Sequence, residues 1–152
     1  MNWNDMVNIF KLDPNATIPS RNNNTDCGLD LYCLEDTFIP HQTTRVVKTG
    51  IAMQIPEGYL GKVFDRSSMS LKGLATGAGV IDPGYTGDIS VVLHNLTYHH
   101  DVDLTFRSGY WVRKGDKIAQ IVLSKIELME PREVTTLWTS DRGNNGFGSS
   151  GK

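Results

Sequence analysis

Apolar residues recur along the chain in short stretches that alternate with polar positions or continue unbroken for a few residues. These stretches cover residues 28–33, 45–55, 59–64, 89–96 and 117–126. Turn-forming residues separate them, for example Pro56-Glu57-Gly58 and Asp82-Pro83-Gly84. Stretches of this length and period are typical of β-strands. Only the N-terminus and residues 67–74 could hold a helical turn or two, so the pattern predicts an all-β domain: a sandwich, jelly roll or barrel.

Length and composition suit one globular domain. The chain has 152 residues, of which 39% are hydrophobic and 21% charged, and a chain of this size can bury a sizeable core. We expect one β domain over residues 1–139 and a polar arm over residues 140–152. The formal net charge of −2 predicts neither a nucleic-acid nor a membrane partner. No apolar stretch approaches the ~20 residues that a spanning helix needs.

The N-terminus and the cysteines bear on the compartment. Residues 1–11 have neither a basic start nor a sustained apolar stretch, which predicts an intracellular protein, cytoplasmic or, in a eukaryote or its virus, nuclear. Cys27 and Cys33 lack the histidine neighbours of a zinc site, so we expect two small buried thiols in a reducing compartment. The three tryptophans are expected in the core or at subunit contacts; they are Trp3, Trp111 and Trp138.

Two loops carry candidate chemistry. Arg66, Ser67 and Ser68 follow a predicted strand, and a guanidinium beside hydroxyl and backbone N–H groups can hold an anion. The same residues also suit an ordinary helix N-cap. Residues 76–87 combine closely spaced glycines, which would let a flat ligand approach the backbone, with Asp82 at the start of a Pro-Gly turn. Asp82 alone would be explained by turn chemistry, in which its side chain caps its own backbone.

The C-terminal residues 142–152, RGNNGFGSSGK, partly match a phosphate-binding P-loop. A P-loop needs a Ser or Thr after its lysine and a helix that leaves the loop, and neither follows Lys152 in this sequence. A glycine-rich end is usually a frayed tail. This one nevertheless carries an arginine, an aromatic residue and two serines, which a frayed tail does not require.

Five segments in order resemble the motifs of the trimeric deoxyuridine triphosphatase (dUTPase) family. They are residues 27–31, 61–68, 77–87, 115–121 and 142–151. One such motif would mean little, but five in register make a specific match over most of the chain. The resemblance implies a jelly-roll-like distorted β-barrel, a homotrimer with shared active sites, and Mg²⁺-dependent hydrolysis of dUTP to dUMP and pyrophosphate. That activity would keep uracil out of DNA and supply dUMP for dTMP synthesis.

The resemblance also implies roles for individual residues. Asp82 would be the general base that activates a water for attack on the α-phosphorus, and Asp30 would bind Mg²⁺ through water. The C-terminal arm would be a mobile lid over the nucleotide of a neighbouring subunit, with Phe147 on the base and Arg142 on the terminal phosphate. The other implied substrate contacts are Arg66, Ser67, Ser68, Gln120 and Ser149 with phosphates, Gly77, Gly79, Ile81 and Tyr85 with the nucleoside, and Val80, Ser90 and Gly148.

One departure and two alternatives accompany this resemblance. The second motif usually has proline before its arginine, where this chain has Asp65, and a carboxylate there would repel a triphosphate unless it points away, for example into an intersubunit salt bridge. A dCTP deaminase would share the fold but needs a glutamate where this chain has Val92. A non-catalytic nucleotide-sensing or interaction module is the other alternative. The non-catalytic module is disfavoured because the candidate site residues occur together: Asp30, Asp82, Tyr85, Gln120, Arg142 and Phe147.

Overall fold

Strands dominate the computed structural model, which describes residues 6–98, 109–141 and 143–144. Within these ranges the chain forms eleven strands and one short helix. The elements are β1 (Asn8–Lys11), β2 (Leu29–Tyr32), β3 (Thr37–Pro40), β4 (Thr44–Val47), β5 (Ile51–Gln54), β6 (Tyr59–Phe64), α1 (Ser67–Ser70), β7 (Leu74–Gly77), β8 (Val80–Ile81), β9 (Val91–Asn95), β10 (Gly109–Val112) and β11 (Lys117–Lys125). The predicted all-β class is confirmed. Among the described residues, no helix has the length and apolar character of a membrane span.

The strands pair antiparallel in four small sheets. Their orders are β1-β5, β10-β3, β2-β11-β6-β8 and β4-β9-β7. β11 is the longest strand and lies between β2 and β6, where Gln120 faces both Asp30 and Phe64. Facing residues in antiparallel strands lie about 5 Å apart. This register therefore brings Asp30, Gln120 and the loop that follows β6 to one end of the sheet.

Buried aliphatic side chains from all four sheets share one core. Alternate positions of β9 point inward, with Val91, Leu93 and Asn95 buried. The buried Asn95 amide is satisfied, since its Nδ2 donates to the carbonyl of Ile39 at 2.9 Å. Such a closely packed frame holds the loops at the strand ends in fixed positions. The largest fully buried side chains include Leu31, Ile39, Ile51, Met53, Leu74, Ile118 and Ile121.

Two expectations about local structure were wrong, and a third was confirmed. The predicted strand over residues 45–55 breaks before Gly50, whose φ of +72° turns the chain from β4 into a different sheet at β5. The N-terminus forms no helical turn in its described part, because β1 pairs with β5 there. The helical turn expected within residues 67–74 is present as α1, and Gly73 with φ of +75° lies between it and β7.

The cysteines and tryptophans differ in their burial. Cys33 is buried and its Sγ donates to the carbonyl of Glu35 at 2.8 Å, and burial raises the pKa of this thiol. Cys27 is exposed, so the expectation of a second buried thiol was wrong; it lies in the loop before β2 and not within the strand. Trp111 and Trp138 are largely exposed and do not belong to the core. Trp3 lies outside the described residues.

Candidate active site

An open pocket, called here the Arg66 pocket, lies where β2, β6 and β11 end. Its lining includes Asp30, Arg66, Ser67, Lys117 and Gln120. The Asp30 carboxylate holds two cations, with Oδ1 2.9 Å from Arg66 Nε and Oδ2 2.7 Å from Lys117 Nζ. The Asp30 side chain is only 13% exposed, so these charges are partly shielded from water and interact more strongly than surface pairs. Arg66 and Lys117 are thereby held at defined positions around the Asp30 carboxylate.

The turn after β6 leaves donors unused beside these cations. Arg66 is the N-cap of α1, and no side chain caps the helix, so the N-cap alternative for the serine hydroxyls is not what the structure shows. Arg66 also donates through Nη1 to the carbonyl of Lys117 at 3.1 Å, which orients the guanidinium. Within the described part of the chain, the backbone N–H groups of Ser67 and Ser68 have no acceptor. Such groups suit an anion.

Gln120 is held in the same pocket by contacts at both ends of its amide. Its Nε2 donates to the backbone carbonyl of Asp65 at 2.9 Å. Its Oε1 lies against Gly28, where a Cβ atom would overlap it. Gly28 is therefore needed for close approach, and the second N–H of the amide remains available to a ligand.

Asp65 points away from the Arg66 pocket. Its Oδ1 accepts two hydrogen bonds from Thr76, one from the backbone N and one from Oγ1, both at 2.6 Å. One arrangement expected from the sequence was an intersubunit salt bridge that would direct the Asp65 carboxylate away from a triphosphate. The partner observed is instead Thr76 of the same chain, on strand β7.

A second pocket, called here the Asp82 pocket, opens beside the tight bend between β7 and β8. This bend is called here the hairpin, and its two strands pair with β9 and β6 and not with each other. Its lining consists of Val46, Ala78, Val80, Ile81, Asp82, Tyr85, Asp88 and Ser90. The hairpin tip needs small residues. Ala78 has a φ of +47°, and a Cβ on Gly79 would lie 2.6 Å from the carbonyl oxygen of Val63. The Val63 N–H donates to the Gly79 carbonyl at 2.7 Å, so the hairpin lies directly on β6.

Asp82 begins the turn that follows β8. Its carbonyl accepts from the Tyr85 N–H at 3.2 Å, and Gly84 takes the positive φ of +85° that a Pro-Gly turn requires. Among the described residues its carboxylate has no hydrogen-bond or ion-pair partner. The turn is thus formed by backbone, and the side chain is exposed and available for chemistry.

Asp88 organises the opposite wall of this pocket. It accepts hydrogen bonds from Ser90 Oγ at 2.6 Å and from the Gly50 N–H at 2.8 Å, while its carbonyl accepts from the Tyr85 hydroxyl at 3.0 Å. Tyr85 and Ser90 are therefore held in position. Asp88 was not a predicted site residue, and its contact with Gly50, which is distant in the chain, is not visible from sequence.

The two pockets share no lining residue. The predicted phosphate and metal residues Asp30, Arg66, Ser67 and Gln120 meet in the Arg66 pocket, with Ser68 beside Arg66. The predicted nucleoside residues gather at the Asp82 pocket: Val80, Ile81, Tyr85 and Ser90 with Asp82 in its lining, and Gly77 and Gly79 in the hairpin beside it. Arg142, Phe147, Gly148 and Ser149 lie outside the described residues.

Comparisons with known proteins identify the family. The family model described as dUTPase matches residues 14–151. The chain belongs to the dUTPase family. It is 40% identical over 149 residues to deoxyuridine 5'-triphosphate nucleotidohydrolase of Debaryomyces hansenii, an alignment that covers 96% of this chain and 88% of that protein.

Solved dUTPase structures share the fold. Staphylococcus bacteriophage 80alpha dUTPase with dUpNHpp superposes with a TM-score of 0.84 at 32% identity, covering 97% of this chain and 99% of that one. The D95N mutant of the dUTPase from phage phi11 of S. aureus, whose structure concerns the coordination of a structural Mg(II) ion, gives 0.78 at 30% identity, covering 89% and 100%. The predicted family is therefore confirmed.

Lys117 lines the Arg66 pocket and was missed by sequence reasoning. Residue 117 was placed at the start of the predicted strand 117–126, and no role was assigned to its side chain. Its hydrogen bond to Asp30 raises the pKa of the ammonium. Lys117 reaches Asp30 because β11 pairs with β2. Only this strand pairing indicates the contact, and the local sequence does not.

The described residues do not form a metal cage. No cluster of three or more His, Cys, Asp or Glu side chains that could hold a metal ion occurs among them. Both Asp30 oxygens already accept from a cation, but a carboxylate has about four lone-pair sites and can still accept from water. The residues therefore fit a Mg²⁺ ion that arrives with substrate phosphates and contacts Asp30 through water.

Proposed function

We propose that the protein is a dUTP diphosphatase that hydrolyses dUTP to dUMP and pyrophosphate. Membership of the dUTPase family supports this function. The observation that carries it is the combination of two half-sites: fixed cations and free N–H donors in the Arg66 pocket, and an unpaired carboxylate in the Asp82 pocket. The first suits a triphosphate, and the second suits activation of water beside a nucleoside.

Asp82 is the general base of the proposed reaction. Its carboxylate orients a water molecule and accepts a proton from it, as the water oxygen forms a bond to the α-phosphorus. The bond from the α-phosphorus to the bridging oxygen breaks, and pyrophosphate leaves with that oxygen. The absence of a cation beside Asp82 among the described residues supports this role, because the carboxylate is not neutralised by an ion pair.

Arg66, Lys117 and Gln120 bind the phosphates together with the N–H groups of Ser67 and Ser68. Arg66 offers a forked donor that matches phosphate oxygens, and Lys117 offers a compact charge. Their common contact with Asp30 fixes both cations before substrate arrives. Fixed donors of this kind stabilise developing charge without reorganising during the reaction.

The hairpin of β7 and β8 recognises uracil and deoxyribose. Gly77 and Gly79 have no side chain and Ala78 has only a methyl group, which supports close approach of a flat base to this backbone. The place that a Gly77 side chain would take is occupied by the His94 ring. Tyr85, with 47% of its surface exposed, offers a ring face to the sugar. A thymine methyl or a 2'-hydroxyl would meet a wall fixed by backbone hydrogen bonds, which supports strong selection.

Mg²⁺ is the cofactor of the proposed reaction. Asp30 would hold it through water, and its other ligands would come from the triphosphate. The metal would neutralise phosphate charge and orient the chain of phosphates. Asp30 is an acidic side chain in the lining of the Arg66 pocket that can still accept hydrogen bonds from water, and this supports the assignment.

A homotrimer with shared sites completes the proposal. The Arg66 and Asp82 pockets of one chain share no wall, which supports assembly of each site from different subunits. The segment after β11 exposes several large apolar side chains, a feature typical of interaction surfaces. We propose that this segment packs on another subunit and leads the arm with Arg142 and Phe147 to its site. The exposed side chains are Leu128, Met129, Leu137 and Trp138.

A deaminase of the same fold is the alternative. Deamination needs a proton carrier beside the base, and the corresponding position holds Val92 on β9, opposite Gly77. The other acid of the pocket, Asp88, is occupied by Gly50 and Ser90. Both observations favour the diphosphatase.

A substrate panel tests the reaction. dUTP, dTTP, dCTP and UTP are incubated with Mg²⁺ or with EDTA, and pyrophosphate and ammonia are measured. We expect pyrophosphate from dUTP alone, with loss on metal removal.

Asp82→Asn should lower kcat by about 10²–10⁴-fold with little change in KM. Asp13→Asn, a change at a remote exposed carboxylate that accepts from Asn15 N–H, is the matched control. Ammonia from dCTP, or full turnover by Asp82→Asn, would contradict the proposal.

Mixing two inactive variants tests the shared site. Arg66→Ala and Asp82→Asn are each purified, then unfolded and refolded together. If a site takes Arg66 from one subunit and Asp82 from another, mixed oligomers contain some intact sites and activity returns. If both residues serve the same chain's site, the mixture stays inactive, and the assembly proposal is wrong while the hydrolase proposal stands.

A further inference from the structure

Asp65 contacts both half-sites at once, although it lines neither pocket. Its carboxylate binds Thr76, the residue before Gly77 of the hairpin, and its backbone carbonyl binds the amide of Gln120. We propose that Asp65 is a positioning residue that sets the base-binding hairpin relative to the phosphate-binding turn. This inference rests on the proposed function, because it takes the hairpin and the turn as parts of the dUTP site.

The contact with Thr76 links two sheets. Asp65 follows β6 in the sheet β2-β11-β6-β8, whereas Thr76 belongs to β7 in the sheet β4-β9-β7. One carboxylate oxygen accepts two donors at 2.6 Å, from the Thr76 N–H and hydroxyl. Hydrogen bonds to an ionised acceptor are shorter and stronger than neutral ones. The link closes the loop that contains Arg66, Ser67 and Ser68.

The hairpin is consequently fixed on both of its strands. On the β8 side, the Val63 N–H donates to the Gly79 carbonyl at 2.7 Å. On the β7 side, the Asp65 carboxylate holds Thr76. The tip between these points contains Ala78 with a left-handed φ of +47°, a conformation that a non-glycine residue keeps only when its surroundings impose it. Loss of the Asp65 contact would release one of the two strands that impose it.

The contact with Gln120 links the position of Asp65 to the phosphate-binding residues of the Arg66 pocket. Gln120 Nε2 donates to the Asp65 carbonyl at 2.9 Å, and Gly28 lies against the other end of the amide. A shift of Asp65 toward or away from Thr76 would therefore move the Gln120 amide as well. The removal of one carboxylate is expected to alter phosphate binding and base selection together.

The negative charge of Asp65 is compatible with a nearby triphosphate because the carboxylate points away from the Arg66 pocket. The carboxylate accepts from Thr76 and is absent from the lining of the Arg66 pocket. The backbone carbonyl, and not the carboxylate, faces the phosphate-binding group through Gln120. The residue that departs from the family's proline thus supplies a contact that proline cannot form, since proline has no side-chain acceptor.

Steady-state kinetics of four variants test this role. The variants are Asp65→Ala, Asp65→Asn, Thr76→Val and the double variant Asp65→Ala/Thr76→Val, each assayed with dUTP and dTTP. Asp65→Ala should raise KM for dUTP about tenfold, the effect of one charge-assisted hydrogen bond, and lower the preference for dUTP over dTTP. Asp65→Asn keeps an acceptor oxygen, so its KM for dUTP and its preference for dUTP over dTTP should both be close to those of the parent. The double variant should resemble Asp65→Ala, because the partners act as one unit.

Asp36→Ala is the matched control. Asp36 is also an exposed carboxylate that accepts from a backbone N–H and a side chain, at Lys114 and Arg113, but it lines neither pocket. It should lower stability and leave KM and base preference unchanged. Unchanged kinetics in Asp65→Ala, or effects of Asp65→Ala and Thr76→Val that multiply independently, would overturn the inference. Absence of dUTP hydrolysis in the parent protein would instead refute the proposed function.

Discussion

Lys117 and Asp30 form an ion pair in which the lysine Nζ lies 2.7 Å from the carboxylate Oδ2. Arg66 occupies the other oxygen of the same carboxylate at 2.9 Å. Asp30 thereby determines the positions of two cations, one from the turn after β6 and one from the start of β11. Since the pair is only partly exposed, its contribution exceeds that of an ordinary surface ion pair. The geometry of the phosphate half-site therefore depends on one acidic side chain.

The first prediction concerns Lys117→Ala. The loss of this cation removes a phosphate contact and leaves Asp30 with Arg66 alone, so KM for dUTP should rise about tenfold or more. Lys125→Ala is the control, because Lys125 lies on the same strand but interacts with Tyr59 away from the pocket. Equal KM values for the two variants in initial-rate assays would show that Lys117 has no part in substrate binding.

The second prediction concerns Gly79→Ala. The new Cβ would lie 2.6 Å from the carbonyl oxygen of Val63, and because that oxygen belongs to the backbone of β6, the hairpin itself must move. We expect a rise in KM for dUTP and reduced discrimination against dTTP. Gly109→Ala creates a similar overlap, 2.6 Å from the carbonyl of Ile39, on strands β10 and β3. That control should lose stability but keep its base preference; loss of preference in both variants would count against a specific role for the hairpin.

Sequence reasoning predicted the fold class and the strands with a strong local pattern. The bounds of β6 (Tyr59–Phe64) were predicted as observed, because its apolar alternation ends at clear turn residues. β3 and β10 were missed, since four-residue strands with mixed polarity look like loops until they are paired. The break at Gly50 was missed because the residues on both sides are apolar.

The candidate site was predictable in its residue types but not in its spatial arrangement. Motif resemblance pointed to Asp30, Arg66, Asp82 and Gln120, and the structure places each of them in one of two pockets. The separation of these pockets, and the contact of Asp65 with Thr76, depend on how strands of different sheets pack. Local patterns contain no information on such packing. Structure was therefore required to show the half-sites.

The third prediction concerns thiol reactivity. Cys27 is exposed and lines the Arg66 pocket, whereas Cys33 is buried with a raised thiol pKa. Because the thiolate is the reactive form, a disulfide reagent such as DTNB should react quickly with one thiol per native chain and with both after denaturation. Cys27→Ser should abolish the fast reaction. Pyrophosphate with Mg²⁺ should slow it by occupying the pocket; an unaffected rate would place Cys27 outside the ligand's reach.

The fourth prediction concerns acid stability and Asp36. Hydrogen bonds from the Lys114 N–H and from Arg113 lower the pKa of this carboxyl below its ordinary value of 3.8. A lowered folded-state pKa contributes stability that is present above the unfolded pKa and is lost as pH falls through the folded pKa. Asn resembles a protonated Asp, so Asp36→Asn should unfold at lower urea concentration than the parent at pH 6, and the difference should shrink below about pH 3.8. A difference that stays constant from pH 6 down to pH 3 would mean that the charge of Asp36 is not what stabilises this turn.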